Sequence, residues 1–118
     1  MGIRASTWTD PLGLTPYPAP QITQHGLDHS FDRHAAQWFG GEPNRSTQMD
    51  EWRDLIERTS HSSHRIPWST GATETHAYLA RIDNKWFAVQ FDRTSGDLVT
   101  AFVPNSRQLS AMLSLLGK

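Results

Sequence analysis

The 118-residue chain contains no cysteine. That excludes a disulfide framework and a zinc–thiolate site, and it fits a cytoplasmic site of action. No apolar run approaches the roughly 18 residues of a membrane span. The N-terminus lacks the apolar core of a secretory signal. Glycines are scattered and never form a run that could cradle phosphate, and no nucleophile elbow occurs. His61 and His64, three residues apart, could share a metal on a helix, but no third ligand of the right kind lies nearby. Neither a metal nor a cofactor is therefore expected. A strong overall charge is also lacking, because the formal net charge is −1. That small number hides a split. Residues 1–57 carry four Lys/Arg against eight Asp/Glu, and residues 58–118 carry seven against four. The second half could therefore hold an anionic ligand.

What is abundant is aromatic and β-branched sequence between Thr75 and Pro104. Asp83-Asn84 and Arg93-Thr94-Ser95-Gly96 punctuate it with residues that tolerate left-handed backbone. A meander follows, with strands Thr75–Ile82, Lys85–Asp92 and Asp97–Val103. If neither corner is bulged, Ile82 faces Lys85, Tyr78 faces Val89, Val89 faces Thr100 and Phe87 faces Phe102. One sheet face then gathers His76, Tyr78, Ala80, Lys85, Phe87, Val89, Phe91, Leu98, Thr100 and Phe102. The other gathers Ala77, Leu79, Arg81, Trp86, Ala88, Gln90, Val99, Ala101 and Val103. Ile66 to Gly71 adds a short edge strand, where Pro67 is tolerated.

Residues 1–25, with four prolines, read as an extended tail or linker, and residues 26–118 as one domain. A first helix is expected over Leu27–Phe39, with Leu27, Phe31, His34 and Trp38 on its buried stripe and Gly40 ending it. His29 and Arg33 lie one turn apart on another face. A second helix is expected over Met49–Thr59, capped by Ser46 or Thr47, and a third over Ser106–Leu116, capped by Asn105 or Ser106. The fold class is α+β: two N-terminal helices, an antiparallel three- to four-stranded sheet and a C-terminal helix, with the helices gathered on one side of the sheet.

An inward-facing helical histidine beside a sheet bearing His, Lys, Arg and Thr is the inventory that metal-free RNA cleavage needs. A base takes the ribose 2′-hydroxyl proton, an acid protonates the leaving 5′-oxygen, and cations and hydroxyls stabilise the charge on phosphorus. Each residue also has a purely structural account. His34 could be a core histidine bonded to a carbonyl, and His29 a surface residue. Lys85 could serve solubility at a corner, Thr100 could be a strand former, and Arg81 could pair with Trp86 across the strands. Trp68 and Tyr78 could belong to the core.

The helix Asp28-His29-Ser30-Phe31-Asp32-Arg33-His34 and the strands Lys85–Phe91 and Leu98–Asn105 together resemble the barnase–EndoU–colicin–RelE group of small RNases. That group includes toxin domains of bacterial competition systems and phage-borne relatives. Its members set one or two helices before an antiparallel sheet, often with a helical His and a late-strand Ser or Thr. The resemblance spans about Leu27 to Leu116 and implies a metal-independent endoribonuclease of toxin type, with tRNA as a candidate substrate. Delivery within a larger secreted protein would fit. By that likeness His34 is the acid/base residue, Thr100 the hydroxyl that contacts phosphate, and Lys85 a cationic helper. The candidate substrate contacts are His29, Arg33, Arg81, His76, Trp68 and Tyr78. The implied partners are an RNA substrate and an acidic immunity or antitoxin protein that covers the basic sheet. Two other functions stay open: a non-catalytic module that grips protein or nucleic acid, and an immunity or antitoxin protein suited to the acidic first half.

Overall fold

The computed structural model describes residues 18–117, which form α1 (Gln24–Phe39), α2 (Arg45–Ser60), β1 (His64–Thr70), β2 (Thr73–Ile82), β3 (Lys85–Asp92), β4 (Leu98–Phe102) and α3 (Ser106–Leu115). The strands make one antiparallel sheet in the order β1-β2-β3-β4. This is the expected α+β class, with both N-terminal helices and the C-terminal helix present. Among the described residues no helix is long and apolar enough to cross a membrane.

The β2–β3 turn sets the sheet. Asp83 and Asn84 both take left-handed backbone, with φ of 52° and 66°. Two such residues in succession match the twist of the strands they join. Ile82 therefore lies opposite Lys85, Tyr78 opposite Val89 and His76 opposite Phe91, as expected.

The β3–β4 pairing departs from expectation. Phe91 lies opposite Leu98, but Gln90 lies opposite Thr100, so the register shifts between Gln90 and Phe91. The extra β4 residue is a bulge. Beyond it every β4 side chain changes face, because strand side chains alternate with period two. Ala101 and Val103 join the face expected for Thr100 and Phe102, and those two residues move to the opposite face.

Each face has its own core. On the first, Tyr78, Phe87, Val89, Phe91, Leu98 and Ala101 pack against Leu27, Phe31 and Ala35 of α1 and Trp52, Leu55 and Ile56 of α2. Trp52 is fully buried between Phe31 and Phe87, edge-on to both, and its indole N–H donates to Ser30 Oγ at 3.0 Å. On the second face, Ile66, Ala77, Leu79, Ala88 and Phe102 pack with Met112 of α3. The helices are thus split between the two faces rather than gathered on one. The stripe of α3 contributes one fully buried residue, Met112, while Leu109 and Leu116 only flank the cluster.

α3 starts at Ser106 with Asn105 as its cap, as expected, whereas α1 and α2 start earlier than the apolar spacing predicts. Thr23 caps α1 by accepting from Gly26 N–H. Asn44 caps α2 by accepting from the Ser46 and Thr47 N–H groups, which are the residues expected to do the capping. Within the stretch 1–25 expected to be tail, residues 1–17 lie outside the described residues. Residues 18–23 run along the sheet. Gln21 N–H donates to Gly96 O at 2.8 Å, and Leu98 N–H donates back to Gln21 O at 3.0 Å. Gly96, at φ 83°, lets this segment approach, since a Cβ there would sit 2.6 Å from Ala19 O. Gly26 plays the matching part in α1, where a Cβ would meet Leu98 O at 2.5 Å.

Candidate functional site

The bulge has a chemical consequence. It turns Thr100 and Phe102 towards Gln90 and away from the large core. β4 is an edge strand and α1 lies along it, so His34 meets these side chains around the sheet edge. Its ring lies 5.8 Å from that of Phe102. A cleft of about 320 Å³ opens here, lined by His34, Trp68, Ser69, Thr70, Gln90, Thr100, Phe102 and Gln108. Five elements therefore contribute: α1, β1, β3, β4 and the first turn of α3.

Two polar atoms of the cleft residues are buried without a hydrogen-bond partner among the described residues: His34 Nδ1 and Thr100 Oγ1. An unmet polar group of this kind costs roughly 1–3 kcal/mol, so such positions call for an explanation. The third buried atom without a partner, Thr59 Oγ1, lies on α2 away from the cleft. Partial burial pushes His34 below the usual imidazole range, and the nearby positive charge of Arg33 pushes it the same way. A weaker hydrogen-bonding influence of Gln37 works in the opposite sense. The shift favours the neutral imidazole, the form that can accept a proton.

The cleft floor is a fixed network. Gln90, almost wholly buried, donates from its amide nitrogen to Thr70 Oγ1 at 2.6 Å and to Thr75 Oγ1 at 2.9 Å. Thr75 in turn donates its own proton to Trp68 O at 2.5 Å. That proton can be given once, so Thr75 must accept from Gln90, which fixes the sense of the Gln90 amide. At the rim, Gln108 Oε1 accepts from Asn105 N–H at 2.9 Å while Asn105 Oδ1 accepts from Gln108 N–H at 2.8 Å, a reciprocal cap at the start of α3.

Of the expected site residues, His34, Thr100 and Trp68 meet in this cleft. The others lie elsewhere. Lys85 caps the C-terminal end of α1, about one turn beyond His34, and does not line the cleft: its Nζ donates to Trp38 O at 2.7 Å and Gln37 O at 3.3 Å and sits 4.8 Å over the Trp38 ring. Tyr78 is buried in the large core, edge-on to Phe91. Arg81 is exposed opposite Trp86. His29 is exposed, with its ring stacked on that of His25 at 6.3 Å. Arg33 is exposed on α1 beside His34 without lining the cleft. His76 stands on the α1/α2 face. There burial, then Arg65 and Arg93, lower it to about 4.

Gln90, Thr70, Ser69 and Gln108 escape the sequence reading. The one available signal was Gln90 itself, a lone amide inside the apolar run Trp86–Phe91. Buried amides are retained where their hydrogen bonds are met. No group of three or more His, Cys, Asp or Glu among the described residues is placed to hold a metal ion. Comparison with protein-family models, with curated proteins and with solved structures finds no match to this chain.

Proposed function

We propose that the protein is a metal-independent endoribonuclease of toxin type that cleaves RNA by transphosphorylation. The observation carrying this reading is the meeting of a helical histidine and a late-strand threonine in one cleft, each with an unpartnered buried polar atom. Neutral His34 takes the proton of a ribose 2′-hydroxyl. The 2′-oxygen bonds to the adjacent phosphorus as the bond to the 5′-oxygen breaks. The proton held by His34 is the one the departing 5′-oxygen requires, so one imidazole serves both transfers in turn. Thr100 donates its hydroxyl hydrogen to a phosphoryl oxygen as charge builds there. The products are a 2′,3′-cyclic phosphate and a 5′-hydroxyl end. Arg33, whose positive charge is felt at His34, is the candidate cation for the phosphate. In this reading the toxin acts in the cytoplasm, and an acidic immunity or antitoxin protein holds it in check.

The test is cleavage of total RNA, tRNA included, by purified protein in EDTA, with His34→Ala alongside. Defined fragments ending in cyclic phosphate are expected from the wild type. The variant should be slower by roughly 10²–10⁴-fold. Unchanged fragments from the variant would remove His34 from the chemistry. One observation favours a second reading, that of a non-catalytic binding module: none of the cleft-lining residues is Lys or Arg. Retention of RNA without cleavage by a well-folded sample would select it.

A further inference from the structure

The cleft that holds His34 and Thr100 is neutral. Its lining has no Asp, Glu, Lys or Arg, and burial of its one titratable side chain, His34, favours the uncharged form. A phosphate entering it would meet no cation. A flat, uncharged, hydrogen-bonding group would meet suitable partners. The walls are the half-buried indole of Trp68 and the rings of Phe102 and His34. At about 320 Å³ the space lies at the low end of small-molecule sites, roughly 300–1,000 Å³. It suits one planar heterocycle better than a run of nucleotides.

The two glutamines give the cleft a sense. Both N–H groups of Gln90 are committed to Thr70 and Thr75, which leaves its Oε1 as the side chain's remaining function, an acceptor. Gln108 is committed the other way: its Oε1 accepts from Asn105, which leaves its NH₂ as a donor. Neither remaining group hydrogen-bonds to the described residues. One amide acceptor and one amide donor, each held in orientation by bonds on its other side, complement the paired donor and acceptor on the hydrogen-bonding edge of a base.

We infer that this cleft is a nucleobase subsite in which Trp68 stacks on the base, Gln90 accepts from its edge and Gln108 donates to it. The inference rests on the RNA-cleaving reading for its biological setting and gives that reading a base preference. The base beside the scissile phosphate takes Trp68, Gln90 and Gln108, and the phosphate is left to His34 and Thr100.

The test uses the four ribonucleoside 3′-monophosphates, with ribose 5-phosphate and inorganic phosphate as base-free probes. The signals followed by NMR are the side-chain NH₂ groups of Gln90 and Gln108 and the indole N–H of Trp68. The expected result is that nucleotides shift these signals with unequal affinities, while the base-free probes do not. Gln90→Leu should weaken the preferred nucleotide roughly 3- to 10-fold. Trp68→Ala should weaken all four by roughly tenfold or more. Gln90→Glu, which keeps an acceptor but changes the Thr70 and Thr75 bonding, should alter the ranking of the four. Equal shifts from base-free probes would make the cleft a phosphate site and overturn the inference. So would the absence of any nucleotide shift in a folded sample. Binding is read without turnover, so base-dependent shifts in a protein that fails to cleave RNA would uphold the subsite and reject only the nuclease.

Discussion

Thr100→Val separates function from stability more sharply than any other single substitution in the cleft. The Thr100 hydroxyl is buried and bonded to nothing among the described residues, so its loss breaks no hydrogen bond. Valine nearly preserves the shape and suits a strand. Urea unfolding should show no loss of stability and a gain of up to roughly 1–3 kcal/mol, the cost of the unmet hydroxyl. RNA cleavage should fall on the order of 10²-fold, as when one donor to a developing oxyanion is removed. A parallel loss of stability and activity would mean that Thr100 is structural. His76 makes a separate prediction. It titrates near 4 when folded and near 6.5 when free, so between these values the unfolded chain binds the extra proton. Stability should therefore be complete above about pH 6.5 and fall as the pH drops towards 4. The part due to His76 should be on the order of 1 kcal/mol, because a partly exposed group is screened by solvent. His76→Gln should flatten that slope in urea midpoints measured from pH 7 to pH 4.5. At this scale the sequence was informative about His34, whose 4, 7, 11 spacing with Leu27, Phe31 and Trp38 put it on a buried stripe; the structure leaves it half-buried. At Gln90 the sequence offered only a lone amide in an apolar run and not what that amide meets, because a residue's neighbours across a sheet do not follow from its neighbours in the chain.

Among the elements, α1 and α3 are held very differently. The C-terminal carbonyls of α1 receive the Lys85 ammonium, which also lies over the Trp38 ring. A cation at that end of a helix is favourable. Lys85→Met should lower stability by about 1 kcal/mol in urea unfolding. Any cleavage defect should be much smaller than that of His34→Ala. α3 has one fully buried side chain and relies on the reciprocal Asn105–Gln108 cap. Asn105→Ala should cost about 1 kcal/mol. Hydrogen exchange should speed up in α3 before it does in the sheet, and Gln108 should lose its fixed orientation at the cleft. Equal acceleration in both regions would contradict the separate status of α3. The helices themselves were legible from apolar spacing, but the sheet face that each covers was not. The Leu109–Met112–Leu116 stripe reads the same whichever side receives it. The start of α2 was missed because Asn44 precedes a polar first turn, where no apolar signal exists.

For the whole molecule, the meander was legible as far as its turns were. Asp83-Asn84 has one short solution, and the β2–β3 register followed from it. The longer Arg93–Gly96 connection has several, and a bulge leaves no mark in composition. That one unread residue decides which side of the sheet Thr100 occupies, and so whether it shares a cleft with His34. The way α1 is mounted has a mechanical consequence. The helix is fastened near its start, where Thr23 caps it and Gly26 lies against Leu98. It is fastened again near its end, where Lys85 holds its last carbonyls and Gln37 Oε1 accepts from Val103 N–H at 2.9 Å. It behaves as a beam supported at both ends rather than a cantilever, and His34 rides on the span between the supports. Loosening either support would leave the imidazole chemically intact but let its position wander. If the protein cleaves RNA as proposed, damage at a remote anchor would then appear as slower turnover with little change in the affinity for RNA.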